Sequence, residues 1–239
     1  MPTLRPGHLR SADPGAPDVA GVLVPTFGLE EPYDWAREFA RPGPLRLEIG
    51  PGKGVWLSAM AAADTSANWV GIEYKEKRAR WIAEKAVRRG LTNVRVIWHE
   101  ARDALDLLFR PGTADTVYVN FPDPWPKRRH RARRMIEPGF CALLAKVLRP
   151  GGEAILVTDV ADYAREMIAH LEEIPAMENT FGPGASAPWL DGYIPTVHYT
   201  KFAAEGRSFH FIRFRRRHQP TLAAGALPAV GHWSTGTVL

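Results

Sequence analysis

Apolar and polar positions between residues 45 and 174 repeat as five strand-then-helix units. Short apolar runs at Leu45–Ile49, Trp69–Glu73, Val94–Trp98, Thr116–Asn120 and Ala154–Thr158 have the length of buried strands. Helical spacing follows each of them, over Val55–Ala63, Lys77–Arg89, Arg102–Leu108, Met135–Leu148 and Asp162–Ile174. Buried strands alternating with helices predict an α/β fold, a Rossmann-like parallel sheet with helices on both faces. The rhythm breaks at 175–198, where Gly182-Pro183-Gly184, Pro188 and Pro195 predict a long insertion near the carboxyl ends of the strands. Two closing strands are expected after it, Tyr199–Ala203 and Ser208–Arg216, with a turn at Gly206. The sheet would then have seven strands, mostly parallel.

Both ends read differently. Residues 1–44 carry Pro2, Pro6, Pro14, Pro17, Pro25, Pro32, Pro42 and Pro44, a density that denies long elements and leaves room only for a short helix over Glu31–Ala40. Residues 218–239 are small and nearly uncharged and read as a flexible tail. The expected organisation is an amino-terminal Pro/Gly-rich extension, one domain over 45–217, and that tail.

Composition narrows the class without naming it. With 45% hydrophobic and 24% charged residues the chain reads as an ordinary globular protein. It has no apolar run near the ~20 residues that a membrane helix needs. Met1–Arg10 lacks a secretory apolar stretch, so a cytoplasmic protein is expected. Cys141 is the single cysteine, which excludes an internal disulfide and a cysteine-based zinc site. His130, His198 and His210 share no metal-ligand spacing, so no metal is expected.

Charge adds more. The net charge is +5, yet six basic residues sit in Lys127–Arg134 and four in Arg213–Arg217, leaving the rest of the chain at −5. Clustered cations on an otherwise mildly acidic body suit a polyanionic partner. Arginine's two-pronged guanidinium favours phosphate oxygens.

The first strand runs into Gly50-Pro-Gly52-Lys-Gly54 and then a helix. Glycines there permit a tight turn and close approach of a ligand to the backbone. Val55 occupies the place of the last glycine in the dinucleotide pattern G-x-G-x-x-G, and no G-x-x-x-x-G-K-[ST] run exists. Glu48 just before the glycines and Glu73 closing the next strand place carboxylates where a pyrophosphate would be repelled. They suit a cationic ligand with ribose hydroxyls, and S-adenosylmethionine fits better than a nicotinamide dinucleotide. After the third strand, Glu100 and Asp103 are both placed to accept from an adenine amino group.

The fourth strand leads into Asn120-Phe-Pro-Asp-Pro-Trp-Pro-Lys127 and then Arg128-Arg-His-Arg-Ala-Arg-Arg134. Three prolines stiffen a loop at the carboxyl end of a central strand, where α/β sheets bind ligands. That loop holds Asp123 with little entropy left to lose. Trp125 offers a flat surface beside a basic run, the combination expected of a nucleic-acid surface.

These motifs together resemble the bacterial tRNA (guanine-N7-)-methyltransferase family, over roughly residues 45–216. The resemblance rests on Leu-Glu-Ile-Gly-x-Gly-x-Gly at 47–54, Gly-Ile-Glu at 71–73, Asp-Ala at 103–104, Phe-Pro-Asp-Pro-Trp-x-Lys at 121–127, Arg-His at 129–130 with Arg133-Arg134, Thr-Asp at 158–159 and Thr-Lys-Phe at 200–202. It implies a class I methyltransferase fold, a seven-stranded mostly parallel sheet with an antiparallel last strand, and transfer of a methyl group from S-adenosylmethionine to guanine N7 at position 46 of the tRNA variable loop. It assigns Glu48, Gly50, Gly52, Gly54, Glu73, Asp103 and Asp123 to the cofactor, Asp123 also to catalysis, and Lys127, Asp159, Thr200, Lys201 and Phe202 to the substrate. Arg128, Arg129, His130, Arg131, Arg133 and Arg134, with Arg213 and Arg215, are the expected phosphate contacts. Asp159 could also cap the helix that follows it. Where the family continues Thr-Lys-Phe with Glu this chain has Ala203, and strand alternation would let Glu205 stand in. The family's basic amino-terminal motifs have no counterpart in residues 1–44. Two other readings share the same residues: a methyltransferase acting on another RNA or a small molecule, and an RNA-binding protein with a non-catalytic cofactor pocket.

Overall fold

The computed structural model describes residues 15–26, 32–39 and 41–218. Within them the strands are β1 Leu23–Val24, β2 Leu45–Ile49, β3 Asn68–Glu73, β4 Val94–Trp98, β5 Ala114–Asn120, β6 Leu148–Thr158, β7 Met177–Asn179 and β8 His210–Arg216. The helices are α1 Trp35–Glu38, α2 Val55–Ala63, α3 Glu76–Arg88, α4 Ala101–Leu107, α5 Pro138–Val147, α6 Ala161–Glu172 and α7 Val197–Ala204, with a 3-10 segment over Arg128–Arg133. All five expected strand-helix units are present.

The strands form one sheet in the order β1-β4-β3-β2-β5-β6-β8-β7. Pairs from β1 across to β6 are parallel, and β8 runs antiparallel to both β6 and β7. The chain builds outward from β2 through β3 and β4, then returns to lay β5 on the other side of β2. That reversal opens a crevice at the carboxyl ends of β2 and β5, the switch point where such sheets bind ligands.

Helices cover both faces, as the pattern predicts. Leu105 of α4, Leu144 of α5 and Met167 of α6 pack on one face, and Leu57 of α2 and Ile82 of α3 on the other. Local signals fix the boundaries. Glu137 caps α5 by accepting from the backbone N–H of Gly139 and Phe140, and Pro138 follows at the first helical position. The expected start at Met135 is therefore three residues early.

The sheet has eight strands rather than seven, and three differences produce that. Leu23–Val24 adds a short parallel edge strand from the Pro-rich segment, beside β4. Met177–Asn179, inside the expected insertion, adds the other edge. The expected strand Tyr199–Ala203 is instead helix α7. Thr196 caps it by accepting from the Tyr199 N–H at 2.9 Å, and Gly206, at φ 74°, ends it. Gly206 N–H bonds Ala203 O and Arg207 N–H bonds Phe202 O, the paired closing bonds of a Schellman motif. The aromatic and β-branched run favoured a strand by propensity, but the caps on either side decide for a helix.

The described part of residues 1–44 packs against the domain. The Trp35 ring stacks on Phe109 at 4.9 Å and its indole N–H donates to Leu108 O at 3.0 Å. The short helix expected at Glu31–Ala40 is α1, reduced to four residues. Residues 1–14 of the expected extension and 219–239 of the expected tail lie outside the described residues. Among the described residues no helix is long and apolar enough to cross a membrane.

Candidate active site

The glycine loop joins β2 to α2 with Gly50, Gly52 and Gly54 at φ 68°, 60° and 62°. A Cβ at Gly54 would lie 2.7 Å from the Ile82 side chain, so this glycine lets α3 pack against the loop. At Gly50 and Gly52 a Cβ would meet nothing within 4 Å, which leaves the loop open toward the crevice.

Two buried carboxylates flank it. Glu73, 1% exposed, accepts from Gly52 N–H at 3.2 Å and Lys75 N–H at 2.9 Å, tying the glycine loop to the start of α3. Each of its oxygens keeps a further lone pair. Glu48 is 2% exposed, and its Oε1 accepts from Asn120 Nδ2 at 3.0 Å. Its Oε2 is buried with no hydrogen-bond partner. Burial pushes the Glu48 carboxyl up to about 8, with the nearby Glu73 charge adding to the rise, and the Asn120 hydrogen bond and the adjacent Leu57 backbone drawing it back. A buried carboxyl with one oxygen unpartnered is destabilised when ionised, and a cation beside it would offset that cost.

Past the end of β5 the backbone turns sharply. Phe121 and Trp125 have φ of 51° and 40°, in the left-handed region that bulky residues rarely adopt. Strain on either side of Asp123 fits a loop held in shape for a site. The sequence shows the stiffening prolines but not this conformation. Asp123 is exposed, and with Trp125 it lines a cavity of about 280 Å³ together with Gly50, Tyr74, Glu100 and Arg133. Glu100 caps α4, its Oε2 accepting from Arg102 N–H at 2.8 Å and Asp103 N–H at 3.3 Å. Asp103, half-buried in the first turn of α4, does not line that cavity.

On the far side of the loop, Asp159 takes Arg207 at 2.8 Å and His198 Nε2 at 3.7 Å. It does not cap α6: the capping position is Val160, without a side-chain bond. Burial holds His198 below its ordinary value, with Asp159 pulling the other way. The His198 ring lies 4.3 Å from Phe121 and 4.1 Å from Phe202, and the Arg207 guanidinium sits 3.7 Å over the Phe202 ring. Thr200 donates to Thr196 O at 3.1 Å, and Lys201 reaches over Phe202 at 5.1 Å. The substrate candidates of β6 and α7 are thus brought to one place, joined by His198 and Arg207, which the sequence reading did not single out. Their position flanking the Thr-Lys-Phe run was the only available signal. Glu205 is a correction: at the carboxyl end of α7 it does not share a strand face with residue 203, and it pairs with Arg207 at 3.0 Å.

The basic run divides in two. Arg134, expected on phosphate, has a side chain 1% exposed, ion-paired to Glu166 at 2.5 Å and Asp162 at 3.2 Å and donating to Pro124 O. It braces the Asp123 loop from beneath. Arg131 pairs with Asp162 at 2.8 Å. Arg133 lies 5.0 Å over the Trp125 ring, and His130 meets the same ring edge-on at 5.9 Å. Lys127, Arg128 and Arg129 are exposed and make no ion pair with a described residue. Arg213 and Arg215 lie apart from that run. Both pair with Glu153, at 3.5 and 2.8 Å. Arg213 lies opposite Ile155 and Arg215 opposite Glu153, while His210 lies opposite Thr158, so they sit three and five residues back from that end of β6, about 10 and 17 Å away at ~3.4 Å per residue.

This division gives a contrast that is simple to measure. Arg134→Ala is expected to cost about 1–3 kcal/mol of stability, because it removes the donor to Pro124 O and the guanidinium beside Glu166, while Asp162 keeps Arg131. Arg128→Ala should leave thermal unfolding within about 0.5 kcal/mol of the parent. Equal effects of the two on unfolding would contradict the buried role of Arg134.

Comparison with known proteins agrees with this geometry. Residues 42–211 match a family model described as "Putative methyltransferase". A tRNA (guanine-N(7)-)-methyltransferase of Syntrophotalea carbinolica is 38% identical over 198 residues, 83% of this chain and 85% of the relative. One of Geobacter metallireducens is 34% identical over 79% of this chain and 89% of the relative. Among solved structures the 16S rRNA methyltransferase KamB superposes with a TM-score of 0.58 at 17% identity, covering 79% of this chain and 95% of that one, a likeness of fold. With its glycine loop, its buried acids and its Phe-Pro-Asp-Pro-Trp loop in one crevice, the chain belongs to the tRNA (guanine-N7-)-methyltransferase family.

Proposed function

We propose that the protein transfers a methyl group from S-adenosylmethionine to N7 of a guanine in tRNA, at position 46 of the variable loop. The observation that carries this reading is the buried, unpartnered Oε2 of Glu48 beside an open glycine loop, adjoining the strained loop that presents Asp123. Glu48 suits the cofactor's ammonium group, and Glu73 and the glycine backbone its ribose; the family resemblance gives Asp103 to the adenine amino group, although Glu100 is the acid of the pair that lines the cavity. When bound it supplies an electrophilic methyl on a sulfonium that becomes neutral on transfer.

The protein's part is alignment and electrostatics. Guanine N7 has a lone pair and no proton, so no general base is needed to make the nucleophile. An ionised carboxylate is a pure acceptor, and Asp123 on the lip of the cavity can take the N–H edge of guanine and oppose the positive charge that grows on the purine. Phe121, His198 and Phe202 form an aromatic surface beside it, suited to stack a base. Asp159 orients that surface through Arg207 and His198. Lys127, Arg128 and Arg129 take the phosphates. No group of three or more metal-binding side chains occurs among the described residues.

The test is transfer of labelled methyl to unmodified tRNA, with the product mapped by strand cleavage at N7-methylguanine. Label at the variable-loop guanine supports the reading. Absence of label from tRNA despite cofactor binding would leave a methyltransferase of another substrate. The free cations add a second expectation: Arg128→Ala with Arg129→Ala should lower the slope of log affinity against log salt by about 1–2. An unchanged slope would exclude these side chains from the interface.

A further inference from the structure

The segment between β7 and α7, from Trp189 to Thr196, has no role in the reading above, yet it reaches the cofactor acid. The Trp56 indole of α2 donates to Ile194 O at 2.6 Å and fastens the segment over the sheet. This holds Tyr193, 5% exposed, with its ring 5.5 Å from Trp56 and 4.9 Å from Phe211. Its hydroxyl donates to Asn120 Oδ1 at 2.8 Å, and Asn120 Nδ2 donates to Glu48 Oε1 at 3.0 Å. The chain of bonds has one polarity once Glu48 is ionised, the form that pairs with a cation. A phenol that donates to the amide oxygen leaves the amide N–H groups to face the carboxylate, whereas the reversed amide would set oxygen against oxygen. Burial raises the Tyr193 phenol far above its ordinary value, so it stays a donor. Three residues beyond Tyr193, Thr196 caps the helix that carries His198, Thr200 and Phe202.

We propose that Tyr193 is a positioning residue which, by fixing the Asn120 amide, holds Glu48 in the rotamer that binds the cofactor, so that the segment leading into α7 sets cofactor affinity. The inference rests on the cofactor assignment above. It gives the insertion a function and links the substrate helix to the cofactor acid through two hydrogen bonds. The groups facing Glu48 are Glu73 from β3, Asn120 from β5, the Leu57 backbone of α2 and Tyr193 itself. Asn120 is the strongest influence drawing the Glu48 carboxyl down, and the Glu73 charge works against it. Loosening Asn120 therefore raises Glu48 further.

Calorimetric titration with S-adenosylmethionine, between pH 6.5 and 9 in buffers of different ionisation enthalpy, reads affinity and proton release together. Wild type should release a proton on binding, with a midpoint near pH 8, and Glu48→Gln should release none. Tyr193→Phe, which keeps the ring and its packing, should weaken binding by about tenfold and move the midpoint to higher pH. Asn120→Ala should do the same, and the double variant should be no worse than Asn120→Ala alone. Weakened binding with an unmoved midpoint, or additive losses in the double variant, would reduce Tyr193 to packing and overturn the proposal. Failure of wild type to bind would instead remove the cofactor assignment, and the inference with it.

Discussion

Asp123→Ala is expected to lower methyl transfer to tRNA by about 10²–10³-fold while leaving cofactor-free stability unchanged within about 0.5 kcal/mol. The separation follows from where the residue sits. Its carboxylate is exposed and makes no hydrogen bond or ion pair with another described residue, so folding does not depend on it. Yet the structure holds it on a loop with φ of 51° and 40° at Phe121 and Trp125, braced from below by Arg134 through Pro124 O. A group held so firmly with no structural partner is placed for a ligand. Asp123→Asn keeps the shape and removes the charge, so most of the loss should persist if the carboxylate opposes positive charge on the purine. Steady-state transfer to tRNA together with thermal unfolding of both variants checks this. Full activity in either variant would remove Asp123 from the reaction.

Glu48→Gln should produce the opposite pair of effects, a more stable protein that binds its cofactor poorly. A carboxyl at about 8 when folded and near 4.5 when unfolded binds more protons in the folded state between those values. Its contribution to stability is therefore full below about pH 4.5 and is lost as pH rises toward 8. By pH 8 the cost is about 4 kcal/mol, since each tenfold difference in proton affinity between the folded and unfolded chain is worth ~1.4 kcal/mol. Glutamine carries no such charge, so the variant should unfold several degrees higher than the parent at pH 8 and no higher at pH 4.5. Cofactor affinity should fall by about two orders of magnitude, as expected for losing a buried charge pair. Melting curves across that pH range and calorimetric affinity check both halves. A variant less stable than the parent at pH 8 would show that Glu48 is satisfied in the folded protein.

The same trade explains which parts of the molecule were legible in the sequence. Strands β2 to β6 and their helices were readable because burial writes a periodic pattern, and Glu48, Glu73 and Asp123 because each sits at a fixed offset from a glycine loop or a strand end. Helix α7 was misread because Tyr199, Thr200 and Phe202 favour strands by type, whereas Thr196 and Gly206 decide by capping. Arg134 was read with its neighbours as a surface cation, since the acids that bury it, Asp162 and Glu166, come from α6 about 30 residues later. The Tyr193–Asn120 bond spans 73 residues and carries no local mark at all. Strain at Phe121 and Trp125 is likewise invisible in composition, because neither residue type favours that backbone. What sequence conveys is the local chemistry. What it withholds is which polar groups meet across the fold.

The proposed accepting atom is N7 of a tRNA guanine. This is tested most directly by comparing two tRNAs that differ at one atom, with guanine or 7-deazaguanine at the variable-loop position. The deaza base replaces the N7 lone pair with C–H and keeps the N–H edge that Asp123 is proposed to hold. Labelled methyl should enter the guanine tRNA and be absent from the deaza tRNA, which should still bind and compete. Equal labelling of both would contradict the account.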